Sequence, residues 1–152
     1  MSELLARDTI SGQRAEAFAT INGNVEDLFY AKKLEATITK DKTDVKTLGS
    51  LGTQKKAVGY SGTGTMTIFY ITSLFRKLML DYVKNGKDTY FTMTVTNDDP
   101  SSTVGKQTSV LYNCNLDSTV IAKFDTDSEL LEEEISFTFT GADLLDEFGK
   151  PI

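Results

Sequence analysis

Thr63-Gly64-Thr65-Met66-Thr67-Ile68-Phe69-Tyr70, running on through Ile71-Thr72-Ser73 into Leu74-Phe75-Arg76-Lys77-Leu78-Met79-Leu80-Asp81-Tyr82-Val83, decides the fold. The first eight residues alternate strictly. Thr65, Thr67 and Phe69 point one way and Met66, Ile68 and Tyr70 the other, as a half-buried strand requires. At Leu74 the period changes: Leu74, Phe75, Leu78, Met79, Tyr82 and Val83 make one stripe of an α-helix. Thr72 or Ser73 can cap its start through a side-chain oxygen, and Lys84 and Gly86 suit its end. One helix is therefore expected over about 72–85, covering an open face or end of a sheet.

Upstream lies DKTDVKTLGSLGTQKKAVG, Asp41 to Gly59, expected to be a long extended loop. Compact domains seldom carry structureless connections beyond about 12–15 residues unless the loop binds something or is disordered. Here soft apolar residues, Val45, Leu48, Leu51 and Val58, alternate with Lys42, Lys46, Lys55 and Lys56. That pattern suits an arm laid on another surface; the plainer reading is a floppy hairpin loop. Before it, Leu34 to Thr39 alternates as a strand should. Ala17 to Ile21 and about Val25 to Tyr30 make a hairpin through Asn22-Gly23, a strong two-residue turn signal. Residues 1–15 read as an N-terminal arm or strap.

Downstream, Tyr90 to Thr96 alternates, and Asn97 to Ser102 is a turn cluster. Val110, Tyr112, Cys114 and Leu116 share one strand face, and Val120 to Phe124 reads as a short strand. Leu131, Ile135, Phe137 and Phe139 share the inner face of the last strand, opposite Glu132, Glu134, Ser136 and Thr138. Glu133 falls on the apolar face, so a bulge or late strand start is expected there. The tail, 142–152, is expected to dock as a short helical turn. The whole reads as one domain, 1–152, mainly β: an antiparallel sandwich or barrel with one flanking helix.

Composition narrows function. The 152 residues carry a formal net charge of −6 and no histidine. An acidic surface disfavours gripping nucleic acid phosphates, though not a polyanion that passes unheld. Without imidazole there is no histidine base, no triad of the usual kind and no histidine-based zinc site. One cysteine, Cys114, permits no internal disulfide and reads as a small apolar filler. Neither a signal peptide nor an apolar run long enough to span a bilayer is visible, so folding in the cytosol without membrane binding is expected.

Catalytic signatures fail one by one. Gly59-Tyr60-Ser61-Gly62-Thr63 is not a nucleophile elbow, and Gly62-Thr63-Gly64 lacks the third glycine of a dinucleotide loop. Those glycines fit turns and close backbone approach instead. Asp125-Thr126-Asp127-Ser128-Glu129 begins like a calcium loop but has no later glycine or closing glutamate, and reads as an Asp-rich turn. Glu132 and Glu134 form a same-face carboxylate pair. They suit a hydrolase only if further strands supply an aromatic-lined cleft; on a threonine-rich face they suit a solvated surface or a channel wall that repels a sliding polyanion. No cofactor, metal or catalytic residue is expected.

The chain resembles the tail tube proteins of contractile-tailed phages, in particular the PBSX-like type of Gram-positive defective prophages and related phage-tail-like bacteriocins. The likeness rests on Asp8-Thr9-Ile10-Ser11-Gly12, on Gly62-Thr63-Gly64-Thr65, and on Thr72-Ser73 with Met79-Leu80-Asp81-Tyr82-Val83-Lys84. It is strongest from Asp127-Ser128-Glu129 through Leu131-Glu132-Glu133-Glu134 to Phe137-Thr138-Phe139. It implies a non-enzymatic subunit forming hexameric rings stacked as a tube, in a virion or phage-tail-like particle assembled in the host cytoplasm. It further implies sheath, baseplate and tail-terminator proteins as partners, with DNA only as transiting cargo. The 41–59 loop then becomes an inter-subunit or inter-ring contact, across which the basic arm and the acidic run from Asp125 to Glu134 can meet, and Glu132 and Glu134 candidate lumen or interface acids. The alternatives are a ligand- or carbohydrate-binding β-sandwich module, which calls for a monomer with a concave aromatic patch, and a carboxylate-pair hydrolase.

Overall fold

The structure, a computed structural model, describes residues 3–150. Strands β1 (Ala15–Ile21) and β2 (Asn24–Asp27) form the expected hairpin. Its turn residues Asn22 and Gly23 both have positive φ, 51° and 82°, the two-residue geometry that matches strand twist. Then come β3 (Ala31–Val45), β4 (Gln54–Phe69), helix α1 (Leu74–Asn85), β5 (Phe91–Asp98), β6 (Lys106–Ser118), β7 (Glu132–Phe139) and β8 (Gly141–Asp146). All pairings are antiparallel, in the order β2-β1-β5-β6-β7-β4-β3, with β8 also on β6.

Strand β6 belongs to two sheets. Its first half lies between β5 and β8, and its second half pairs with β7. The strand changes direction at Asn113, whose φ of 54° is left-handed, beside a register shift between the Leu111 and Cys114 pairings. The Asn113 amide donates to Thr140 Oγ1 at 3.0 Å. The two sheets face each other across one core: Ala19, Met93 and Leu111 from the first, Met66, Ile68, Ile135, Phe137 and Phe139 from the second. Cys114 is buried among them, the apolar filler its sequence position suggests.

The second sheet is built in rows across strands. Leu34, Met66 and Ile135 lie in one inward row; Ala36, Gly64 and Phe137 in the next; Ile38, Gly62 and Phe139 in the third. The glycines are there because the phenyl rings lie over them. A Cβ on Gly64 would stand 2.3 Å from Phe137 Cζ, and one on Gly62 2.6 Å from Phe139 Cε2. Close backbone approach, the reading given to these glycines from sequence, is what they provide.

Helix α1 keeps the expected span. Leu74 N–H donates to Thr72 Oγ1 at 3.2 Å, while the Ser73 side chain makes no capping bond, and Gly86 closes the helix with its N–H on Tyr82 O at 2.9 Å. Phe75 is the one helix residue sunk in the core, its ring 6.4 Å from that of Phe91.

Four expectations are corrected. The loop expected over 41–59 is a β-hairpin: β3 continues to Val45 and β4 begins at Gln54, leaving only 46–53 as a connection. Paired backbone groups cost less than unpaired ones, and threonines and valines in the arm favour strand. Val120 to Phe124 is not a strand, because β7 already has β6 and β4 on its two sides and leaves no border to join. Residues 141–146 form β8 instead of a helical turn, since they satisfy the border of β6 that β5 leaves open. Pro151 and Ile152, at the end of the expected tail, lie outside the described residues, as do Met1 and Ser2 of the expected arm. Finally, β7 runs from Glu132 without a bulge, and Glu133 points inward in regular register opposite Ile68. Its carboxylate is answered by Arg76, as detailed below.

Residues 5–14 form a strap containing a 3₁₀ turn, Ala6–Asp8, pinned to the 98–104 loop. Asp8 accepts from the Thr103 hydroxyl at 2.6 Å and from Leu5 N–H at 3.1 Å; Asp99 accepts from Ser11 N–H at 2.9 Å and Ser101 N–H at 2.9 Å. These bonds hold both carboxyls below their ordinary value of 3.8. A depressed folded pKa gives stability that is present above the unfolded value and lost as pH falls through the folded one. The strap should therefore hold from neutrality down to about pH 4 and loosen below it. Hydrogen exchange at the Ser11 and Thr103 amides should accelerate there beyond the intrinsic rate, and Asp99→Asn should flatten that dependence at Ser11. An unchanged protection factor across that range would count against the strap.

Candidate assembly surface

The β3–β4 hairpin leaves the body of the protein. The last β7 pairing is Phe139 with Gly62, whose partner on β3 is Ile38. Seven further residues of β3, 39–45, run beyond it, about 23 Å at the usual rise. Along this overhang both faces are exposed, so no part of the chain's own core explains it.

The expected arm residues are all on this projection. Lys42 stands in β3 just past a register slip after Asp41, Lys56 lies opposite Thr43, and Val45 closes the strand opposite Gln54. Lys46, Leu48 and Leu51 occupy the connection, where both leucines are fully exposed. Lys55 reaches across the hairpin to Asp44 at 2.5 Å, an exposed pair worth little energetically. Val58 also faces solvent.

Strand β3 is the outer border of its sheet: among the described residues it pairs with β4 alone. An exposed fifteen-residue border strand is a liability for a lone molecule. Beside it the sandwich is open. A groove of about 640 Å³ separates Leu34, Ala36 and Ile38 of β3 from Val95, Leu111 and Leu144 on the facing sheet.

The outward face of the β7–β4–β3 sheet is polar row by row. Thr138, Thr63 and Thr37 line up, then Ser136, Thr65 and Glu35, then Glu134, Thr67 and Lys33. Glu134 is exposed on this face, and Glu132 pairs with Lys32 at 2.8 Å. These two acids thus share a face, as their spacing demands, but Glu132 is engaged by a lysine and the face is flat threonine. The aromatics Phe91, Phe137 and Phe139 are buried in the core, with only an edge of Phe139 bordering the groove.

One charged pair was not legible in sequence. Arg76 on α1 forms an ion pair with Glu133, donates to Thr72 O, approaches Val120 O at 3.4 Å, and lies 4.3 Å above the Tyr70 ring. Glu133 Oε1 has no hydrogen-bond partner among the described residues. The pair locks the helix to the sheet. Its only sequence signal is the glutamate out of step with its strand.

An unfinished sheet border, a long projecting hairpin and a threonine face with only a shallow dip between Thr37, Thr65 and Ser136 suit an assembly unit. Residues 2–146 match the family model described as phage tail tube protein. The chain belongs to that family. The tail tube protein is 44% identical over 141 residues to the phage-like element PBSX protein XkdM of Bacillus subtilis, covering 93% of each chain. Among solved structures its fold is similar to a chain of the sheath–tube complex of the extracellular contractile injection system PVC, with a TM-score of 0.66, 14% identity, and coverage of 91% and 93%. It is likewise similar to the SPP1 tail tube, with a TM-score of 0.63, 13% identity, and coverage of 95% and 81%. The tail tube protein is a structural component of phage or phage-tail-like particles and not an enzyme.

Proposed function

We propose that the protein closes into hexameric rings that stack as the inner tube of a contractile tail or phage-tail-like bacteriocin, enclosing a channel for DNA or ions. The unpaired β3 border carries this reading. In a ring, β3 of each copy joins the far border of the neighbour's sheet, which removes both open borders of that sheet at once. The body of that sheet has four strands, β6, β7, β4 and β3. Six such sheets at about 4.8 Å spacing and a tilt of roughly 40° enclose a cylinder about 48 Å across between backbones. The threonine face, with Glu132 and Glu134, then lines the lumen or borders an interface. Hydroxyls dominate there and Glu35, Glu132 and Glu134 outnumber Lys32 and Lys33, so a polyanion finds little to grip.

The hairpin serves as the contact between subunits or successive rings, a contact the protein's own core does not need. The sheath, baseplate and terminator proteins of such a particle are its further partners, and nucleic acid is cargo bound without sequence preference.

Electron microscopy of the concentrated protein tests this. Rings and tubes are expected, and removing residues 46–53 with a short replacement turn should leave rings but abolish tubes. A uniformly monomeric protein at every concentration would sink the proposal.

A further inference from the structure

Among the exposed apolar side chains, two groups stand at opposite ends of one sheet. At the hairpin end stand Leu48 and Leu51. At the other end, where Phe69 pairs with Glu132, three loops meet: Phe69 N–H donates to Tyr30 O at 3.1 Å and Tyr70 N–H to Leu131 O at 2.9 Å. That end exposes Phe29 (78%), Ile71 (66%), Phe124 (87%) and Leu130 (68%). Side chains this large and this exposed, clustered on one tip, mark a contact surface.

The charges are complementary. The hairpin tip carries Lys46 and Lys56, with Lys55 already paired to Asp44, and the loop around Phe124 and Leu130 carries Asp125, Asp127 and Glu129, all exposed. Because the two ends belong to the same antiparallel sheet, sliding one copy along the strand direction brings tip onto loop. The contact is therefore head-to-tail and repeats without limit.

We propose that the hairpin tip of one copy seats on this far end of a second copy in the adjacent ring. Leu48 and Leu51 lie against Phe124 and Leu130, and the lysines face the acidic loop. This rests on the stacked-ring reading and adds the receiving surface. Apolar contact supplies the affinity, and the charges set orientation.

Cysteine trapping tests it. The native Cys114 is buried and its thiol is pushed up to about 12 by desolvation, so it stays silent under mild oxidation. With Leu48→Cys and Phe124→Cys in one chain, oxidised tubes should run as a disulfide-linked ladder of multimers, and either substitution alone should not. Lys46→Glu with Lys56→Glu should shorten tubes by about tenfold or more, and adding Asp125→Lys with Asp127→Lys should restore length. Tubes without a ladder, or tube length indifferent to charge reversal, would overturn the pairing and leave ring stacking standing. If the unaltered protein forms neither rings nor tubes, the stacked-ring reading falls and this contact falls with it.

Discussion

Arg76→Met is expected to cost about 3–5 kcal/mol, a fall in Tm of roughly 10 °C for a chain of this size. The reason is the company Arg76 keeps. Its partner Glu133 has a side chain only 1% exposed, one carboxylate oxygen already unpartnered, and apolar Ile68 directly across the strand pair. Removing the guanidinium strands a charge in low dielectric, and the bonds to Thr72 O and Val120 O vanish with it. The double variant Arg76→Met with Glu133→Leu should recover most of the loss, because two packed apolar groups replace a pair whose desolvation penalty rivals its attraction. Urea unfolding of the monomer measures both. A single variant as stable as the parent would mean that Glu133 finds other partners. If the double variant is no better than the single, Arg76 matters through its stacking on Tyr70 and its hold on Thr72, not through charge.

Gly64→Ala should destabilise the sheet by about 1–3 kcal/mol or more, the range for overpacking a filled core. Its Cβ would lie inside contact distance of three Phe137 ring atoms, 2.3 to 2.9 Å away. The ring cannot move aside, since Phe137 is 1% exposed and is bounded in its own row by Leu116 and Gly64. Gly12→Ala, where a Cβ meets nothing within 4 Å, is the control and should change stability by less than about 0.5 kcal/mol. Pairing Gly64→Ala with Phe137→Leu should give a loss smaller than the sum of the two, since both act on the same space. Strict additivity in the urea midpoints would show that the clash relaxes elsewhere.

These sites mark what the sequence could disclose. Alternation carried the strands around Met66 and Phe137, and the change of period at Leu74 carried the helix, because each pattern reports one repeated environment. Asn22-Gly23 carried its hairpin through backbone sterics alone. The C-terminal strand was missed because 141–146 has little pattern of its own and becomes a strand by meeting the open border of β6. Val120 to Phe124 failed in the opposite sense: a strand-like composition next to β7, both of whose sides β6 and β4 already fill. Glu133 was visible as an anomaly, but its partner lies 57 residues away and only the fold brings it close. Of the assembly surface, the arm's alternating lysines and leucines were plain in the chain. Of the receiving loop, the acids from Asp125 onward were plain too, but Phe124, read within a short strand, and Leu130 stood out only once the structure placed them outside.

The bend at Asn113 has a mechanical corollary. A single covalent backbone, β6, is laced through both layers of the wall, so a pull on the outer layer is carried to the inner one by peptide bonds as well as by packed side chains. Shear between the layers has its give at the one left-handed joint within β6, which Thr140 braces from the bend between β7 and β8. A cylinder made from such units would twist or slide as one shell, and would sooner come apart between molecules than delaminate within them.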